Sequence, residues 1–401
     1  MPAFYKEWFY KAKLAMAAAV INKPQPKALA FTGVDSAKDL YRAMGQFGLS
    51  KVLIVTDKPL LELGALDSTL AAFKQQDLAY AIYDGVLPDP TKQVVDDGIV
   101  TLRETGCDSV LAFGGGSSID AAKVIALAAA NNCSAEECIG LTKCKQPALP
   151  FFAVPTTAGT GSEATMIAVI SDNETHEKDG VIDPAIIPKA TALDPVVMRG
   201  LPPHITAATG MDALTHAIEA YIGVWQSPET RYYSLSAIKL IFANLPEACA
   251  NGENLVAREA MAMASYYGGL AISTGLVGYV HAVSHNLGAR YGVPHGLGNA
   301  IALPPVLELM KEAAQARMAE IALHLKLGSA SEPTSVLADK LITEVRTLNE
   351  RIGIPSTSEA IQEEDVQALV DAAMKEGSGY PTPRYLERNE CEALIRGMMA
   401  A

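Results

Sequence analysis

The triplet Leu201-Pro202-Pro203 divides this 401-residue sequence into halves with different hydrophobic periods. Before it, short apolar runs rich in β-branched residues alternate with helical stretches. Lys51–Thr56, Ala79–Tyr83, Ser109–Phe113, Phe151–Val154 and Ala190–Leu193 read as strands, and Ala164–Ile182 as a hairpin. Nearly continuous apolar runs of this length belong to strands buried on both faces. Helices are expected over about 59–76, about 91–104, and from the glycines at 114–116 to about 130. Strand alternating with helix implies a parallel sheet covered on both sides. After the triplet no strand is evident. Stretches with a 3.6-residue period run roughly over 204–225, 228–248, 254–274, 297–325, 333–352, 363–376 and 387–399. The expected architecture is therefore an α/β N-terminal domain over 1–200, with a Rossmann-like parallel sheet. An all-α C-terminal domain follows over 201–401. Residues 1–27 form an N-terminal extension. Leu14–Ile21 follows Lys11 and Lys13 as in a leader peptide, but Phe4, Tyr5, Glu7, Trp8 and Phe9 precede those charges. An amphipathic helix is the expectation there.

The helical half carries the densest chemistry. Asp212 and His216 lie four apart in G-M-D-A-L-T-H-A-I-E-A-Y, and His281 and His285 repeat that spacing. On a helix, i and i+4 stack on one face, so both members of a pair can reach one point. His295 follows Pro294 after a glycine-containing turn. Four of the seven histidines fall in this set. A single D-x-x-x-H is ordinarily a polar surface pair or a capped turn. Two such pairs and a third histidine, flanked by small apolar residues, argue instead for a centre. One carboxylate with imidazoles suits a borderline divalent metal such as Fe(II) or Zn(II).

In the α/β half, Gly114-Gly115-Gly116-Ser117-Ser118 lies between a strand and a helix. Glycines admit close backbone approach, and a helix N-terminus offers unpaired amides to a pyrophosphate. Alone, such a turn is weak evidence. Ile119 also occupies the last glycine position of G-x-G-x-x-G. Asp57 ends a strand, where a carboxylate can accept from a ribose 2′-OH and would repel a 2′-phosphate. The alternative for Asp57 is a helix N-cap. Here the acid precedes the glycine turn, which reverses the usual Rossmann order.

These motifs together resemble the iron-containing (group III) alcohol dehydrogenase family, over about residues 28–400. Gly210–Tyr221 resembles its first metal motif. His281–Gly288 and Pro294–Ala300 resemble its second, with Asn286 where proline is usual. The resemblance implies Asp212, His216, His281 and His295 as metal ligands, and His285 as a catalytic residue beside the substrate. Gly114 to Ser117, with Asp120 and Lys123, is similar to the family's pyrophosphate turn. Val154–Glu163 is similar to a segment that implies cofactor contacts from Thr156, Thr157, Thr160 and Thr165. Lys178 stands where a lysine often reaches the nicotinamide ribose. Asp89 stands where relatives commonly have asparagine. The acid at Asp57 implies NAD rather than NADP.

The implied activity is reversible hydride transfer between a small primary alcohol or aldehyde and NAD in an interdomain cleft, with Fe(II) or Zn(II). Two alternatives share parts of this pattern. A zinc polyol dehydrogenase of the glycerol type generally lacks the aspartate and three histidines. A synthase of the dehydroquinate synthase kind needs basic side chains for a charged substrate, and the motif region has few. Composition narrows the partners. A net charge of −13 opposes a nucleic-acid backbone, and no apolar run reaches the ~18 residues of a membrane span. The six cysteines match no zinc-knuckle spacing and read as reduced thiols of a cytoplasmic protein. A homodimer or larger homo-oligomer is implied by the resemblance alone.

Overall fold

The computed structural model describes residues 25–175 and 177–400. The expected N-terminal amphipathic helix lies outside the described residues. The chain divides into two compact units. One comprises Gln25–Leu201 and Asn251–Gly269, and the other holds Pro202–Ala250 and Leu270 onwards.

The first unit is built on six parallel strands, β1 (Leu29–Thr32), β2 (Lys51–Val55), β3 (Ala79–Tyr83), β4 (Ser109–Gly114), β6 (Phe151–Pro155) and β9 (Ala190–Leu193). Their order is β1-β9-β6-β4-β2-β3. A small second sheet, β5-β8-β7, holds β5 (Gly140–Leu141) and the antiparallel pair β7 (Ile167–Ser171) and β8 (Lys178–Ile182). The central strands read as apolar runs because both faces are covered. From β2, Leu53 and Val55 enter one core with Val95, Ile99 and Ile125. Val52 and Ile54 enter the other with Leu40, Tyr41 and Phe73. Each fully buried aliphatic side chain contributes about 1.5–3 kcal/mol relative to exposure.

The helices here are α1 (Ser36–Met44), α2 (Lys58–Glu62), α3 (Asp67–Gln75), α4 (Lys92–Thr105), α5 (Gly116–Asn131) and α6 (Ala135–Cys138). The single helix expected over 59–76 is two. Gly64, at φ 71°, breaks it, a backbone conformation open to glycine at little cost. β1 escaped the sequence reading because it is a partly exposed edge strand, with Leu29 61% accessible.

The second unit is helical: α7 (Pro203–Ile222), α8 (Pro228–Ala250), the end of α9 (Leu255–Gly275), α10 (Tyr279–Tyr291), α11 (His295–His324), α12 (Thr334–Arg351), α13 (Val366–Gly377) and α14 (Arg388–Gly397). Pro202 and Pro203 start α7, where a missing N–H costs nothing. α10 was absent from the periodic stretches because it is short and buried along much of its length.

The expected division at 200/201 differs in one respect. Asn251–Gly269, although helical, belongs with the α/β unit. Tyr266 Oη donates to the Ala28 carbonyl at 3.1 Å, Arg258 Nη2 to the Leu201 carbonyl at 2.9 Å, and Gly161 N–H to Ser265 Oγ at 3.1 Å. A Cβ on Gly269 would lie 2.3 Å from the Gly161 carbonyl oxygen, so two bare backbones meet there.

Candidate metal centre and nucleotide-type turn

α7 is buried continuously from Gly210 to Ile222, so its donor residues never face bulk water. Asp212 and His216 come from this helix, His281 from α10, and His295 from the first turn of α11. His216 Nε2, His281 Nε2 and His295 Nε2 lie 3.6, 3.7 and 3.3 Å from Asp212 Oδ1. One donor atom from each of the four lies within 4.8 Å of all the others. Four donors around a tetrahedral ion with bonds of ~2.1 Å stand about 3.4 Å apart. The residues present therefore fit a single divalent cation. Asp212 and His281 are each 2% exposed and His216 5%, whereas the His295 side chain is 27% exposed. The centre opens on the His295 side.

The four side chains couple electrostatically. Burial alone would raise the Asp212 pKa, but His216, His295 and His281 outweigh it and hold the carboxyl well below its ordinary range. Burial would lower His281, but its bonds to Asp212 and Glu219 push it up to about 9.

Three supporting residues were not singled out from sequence. Glu219 accepts from His281 Nδ1 at 2.7 Å and from the Gly278 and Val280 amides, each at 2.8 Å. It fixes the His281 ring with Nε2 turned to the centre. Asn299 Nδ2 approaches Asp212 Oδ1 at 2.7 Å, His295 Nε2 at 3.1 Å and His281 Nε2 at 3.2 Å. Glu376 meets His285 Nδ1 at 2.6 Å and also accepts from Tyr380 Oη at 2.7 Å. Burial would raise Glu376, but the His285 bond outweighs it and holds it below its usual value. Glu219 lies inside the first motif, three residues after His216, a signal that was in view. Glu376 is 91 residues from His285, and no local pattern marks it.

His285 lies outside the four-donor set. Its ring stacks on His295 with centroids 5.0 Å apart. Asn286 donates from Nδ2 to the Ala282 carbonyl at 2.7 Å and to Glu376 Oε2 at 3.0 Å. The residue standing at the usual proline position thus helps to hold the carboxylate that holds His285.

In the α/β unit, α5 begins at Gly116 with Gly115 as N-cap and no capping side chain. A Cβ on Gly116 would lie 2.5 Å from Thr160 Cγ2, and one on Gly115 would lie 3.5 Å from Thr157 Oγ1. Thr157 and Thr160 therefore lie against the turn. Thr156 N–H donates to the Gly114 carbonyl at 2.9 Å. Ser117 is partly exposed in the first turn of α5. Asp120 accepts from Ser162 Oγ at 2.5 Å and from Val169 N–H at 2.9 Å. Thr165 is 3% exposed and accepts from Lys123 Nζ at 2.9 Å. Asp120 and Thr165 thus brace the segments behind the turn. Asp57 Oδ1 caps α2 by accepting from Leu60 N–H at 2.9 Å, the alternative weighed above. Lys178 Nζ is paired with Asp89 Oδ1 at 2.9 Å. The two positions noted separately in the sequence are partners.

A nucleotide-type turn and a buried carboxylate–imidazole centre are the equipment of a metal-dependent dehydrogenase. Residues 28–195 match the family described as iron-containing alcohol dehydrogenase, and residues 206–399 match the Fe-containing alcohol dehydrogenase family, C-terminal. The chain is 38% identical to alcohol dehydrogenase 4 of Schizosaccharomyces pombe, over 88% of this chain and 83% of that protein. It is 36% identical to the NAD-dependent methanol dehydrogenase of Bacillus methanolicus, over 92% and 97%. A crystal structure of 1,3-propanediol oxidoreductase superposes with a TM-score of 0.90 at 36% identity, covering 94% of this chain and 100% of that one. The chain belongs to the iron-containing alcohol dehydrogenase family. Its chemistry is accordingly that of an oxidoreductase acting on CH–OH groups. No helix among the described residues is long and apolar enough to cross a membrane.

Proposed function

We propose that this protein interconverts a small primary alcohol and its aldehyde with NAD, using one divalent ion, iron in the first instance. The observation that carries this reading is the convergence of Asp212, His216, His281 and His295 within 4.8 Å. When bound, the ion acts as a Lewis acid toward the alcohol or carbonyl oxygen. The remaining work falls to the chain. Glu219 and Asn299 orient the donors. His285 exchanges the hydroxyl proton through Nε2, since Nδ1 is bonded to Glu376. Gly114, Gly115, Gly116 and Ser117 receive the pyrophosphate at the start of α5. Thr156, Thr157 and Thr160 contact the cofactor beside that turn, with Asp120 and Thr165 behind them. Lys178 reaches the ribose from its pair with Asp89. Asp57 sets the preference for NAD with the acceptor capacity that its cap leaves over.

The names of two relatives, a methanol dehydrogenase and a 1,3-propanediol dehydrogenase, support a small substrate with a primary hydroxyl, and the complete set of Asp212, His216, His281 and His295 supports this reading over the zinc polyol alternative. The proposal extends to a cytoplasmic homodimer or larger homo-oligomer, supported by the family resemblance and measurable by light scattering. The deciding experiment follows NADH absorbance with ethanol, propanol and butanol after Fe(II) or Zn(II) reconstitution. Turnover with none of them, or preference for NADP, overturns it. In His285→Ala, iron content after Fe(II) reconstitution stays near one ion per chain while kcat falls and its pH profile changes. Loss of metal in that variant would make His285 a ligand.

A further inference from the structure

Three cysteines that the dehydrogenase chemistry leaves unused meet beyond the C-terminal end of α5. Cys133 follows the helix C-cap Asn132, Cys138 ends α6, and Cys144 lies in the loop after β5. Cys138 Sγ lies 3.5 Å from Cys133 Sγ and 3.5 Å from Cys144 Sγ. All three sulfurs are within 4.8 Å of one another. These spacings are far longer than the ~2.05 Å of a disulfide. Around a tetrahedral ion with Zn–S bonds of ~2.3 Å, sulfurs stand about 3.8 Å apart. Cys138 Sγ needs to draw away from each of its two neighbours by only a few tenths of an ångström to share such an ion with them.

The backbone holds this arrangement without help from the sulfurs. Residues in left-handed conformation, Asn132 at φ 54°, Gly140 at 112° and Thr142 at 48°, turn the chain around the cluster. A capping box between Ser134 and Glu137 starts α6, and Asp96 accepts from the Ala135 amide at 2.8 Å. Asn131 Oδ1 accepts from the Lys145 and Gln146 amides at 3.1 and 2.8 Å, tying the Cys144 loop to the end of α5. Cys138 is 1% exposed, while Cys133 and Cys144 are partly exposed and give an ion a way in. Burial and the neighbouring thiols raise Cys138, and burial also raises Cys144, with the Asp183 carboxylate adding to it. Neither Cys138 nor Cys144 is a poised nucleophile. A nearby carboxylate disfavours thiolate but favours a cation.

We propose that Cys133, Cys138 and Cys144 form a second metal site, a three-thiolate site for a soft divalent ion, with Zn(II) as its natural occupant. Three S–H protons leave to solvent as three sulfur–metal bonds form, and nothing is oxidised. Solvent on the side of Cys133 and Cys144 takes the fourth position. The bound ion would staple the end of α5 to α6 and to the β5 loop. Three sulfurs in mutual reach favour this over a redox pair, which needs only two.

Cadmium probes it in the full-length holoenzyme, because only sulfur ligands give the thiolate-to-cadmium ultraviolet band. The wild type should develop that band with one equivalent of Cd(II) and hold two ions per chain after loading. The Cys133→Ser/Cys138→Ser/Cys144→Ser variant should show no band and hold one, with turnover unchanged. Should that variant not fold, peptide-mapped alkylation of the wild type decides. Saturating Zn(II) should slow modification of Cys133 and Cys144 by about tenfold or more, with Cys249 as the unaffected control. Absence of the band together with equal alkylation rates overturns the proposal. A disulfide between any two of the three in freshly purified protein does so as well.

Discussion

α7 and α5 serve their sites in opposite ways. α7 is buried along its centre and works through side chains four residues apart on one face. α5 works through its N-terminus, where Gly115 caps without a side chain and the amides themselves are the functional groups. A side-chain site is destroyed by removing atoms. A backbone site is damaged chiefly by adding them. The two regions should therefore answer to opposite kinds of substitution.

The largest effect is expected from deletion at the centre. His281→Ala removes a donor and leaves the Asp212 and Glu219 carboxylates buried without their common partner. After Fe(II) reconstitution, iron content by plasma mass spectrometry and turnover should both fall to background while circular dichroism is preserved. Stoichiometric iron in this variant would break the assignment of His281 as a ligand. One step further out, Glu219→Gln keeps an acceptor for the Gly278 and Val280 amides but weakens the hold on His281. Metal affinity should drop about 10–100-fold, read by chelator competition. A full loss would place Glu219 in the centre rather than behind it.

On the backbone side, Gly116→Ala adds one carbon 2.5 Å from Thr160 Cγ2. Thr160 must give way, and overpacking of about 1–3 kcal/mol should raise the KM for NAD roughly tenfold with metal content unchanged. If instead metal is lost, the two regions are coupled more tightly than this contrast allows. The smallest effect is expected at Asp57. Glycine is nearly as good a cap as aspartate, costing only a few tenths of a kcal/mol, so Asp57→Gly isolates the charge. The ratio of kcat/KM for NAD over NADP should narrow several-fold as the repulsion is removed. An unchanged ratio would reduce Asp57 to the cap it visibly makes.

Regular spacing accounts for what could be read from sequence. Asp212–His216 and His281–His285 were legible because a helix converts a gap of four into one face. The central strands β2, β4, β6 and β9 were legible because burial on both sides writes itself as an unbroken apolar run, and the partly exposed edge strand β1 was not. Glu219 was written in the same helix but needed a partner 62 residues on, whose ring nitrogen only the fold supplies. Glu376 and Asn299 needed the same. Cys133, Cys138 and Cys144 stand close in sequence and read as reduced thiols, but their convergence was illegible for a different reason. Their spacings of five and six follow no helix or strand period, and left-handed turns at Asn132, Gly140 and Thr142 decide where the sulfurs go. Asp89 and Lys178 are each marked by the resemblance to the family, but their pairing depends on where β8 lies, which no local pattern encodes.

The return of Asn251–Gly269 to the α/β unit bears on how the protein is made. When the ribosome has added Leu201, every strand of the parallel sheet exists. The partners of Ala28, Gly161 and Leu201 do not, because Tyr266, Ser265 and Arg258 have yet to be synthesised. The nascent sheet must wait through the whole of α7 and α8, the helix that brings Asp212 and His216 among them, before its last segment emerges. Domains generally fold as units as they leave the ribosome. Here the unit made first is completed only after the other has begun, so the order of synthesis and the order of completion cross.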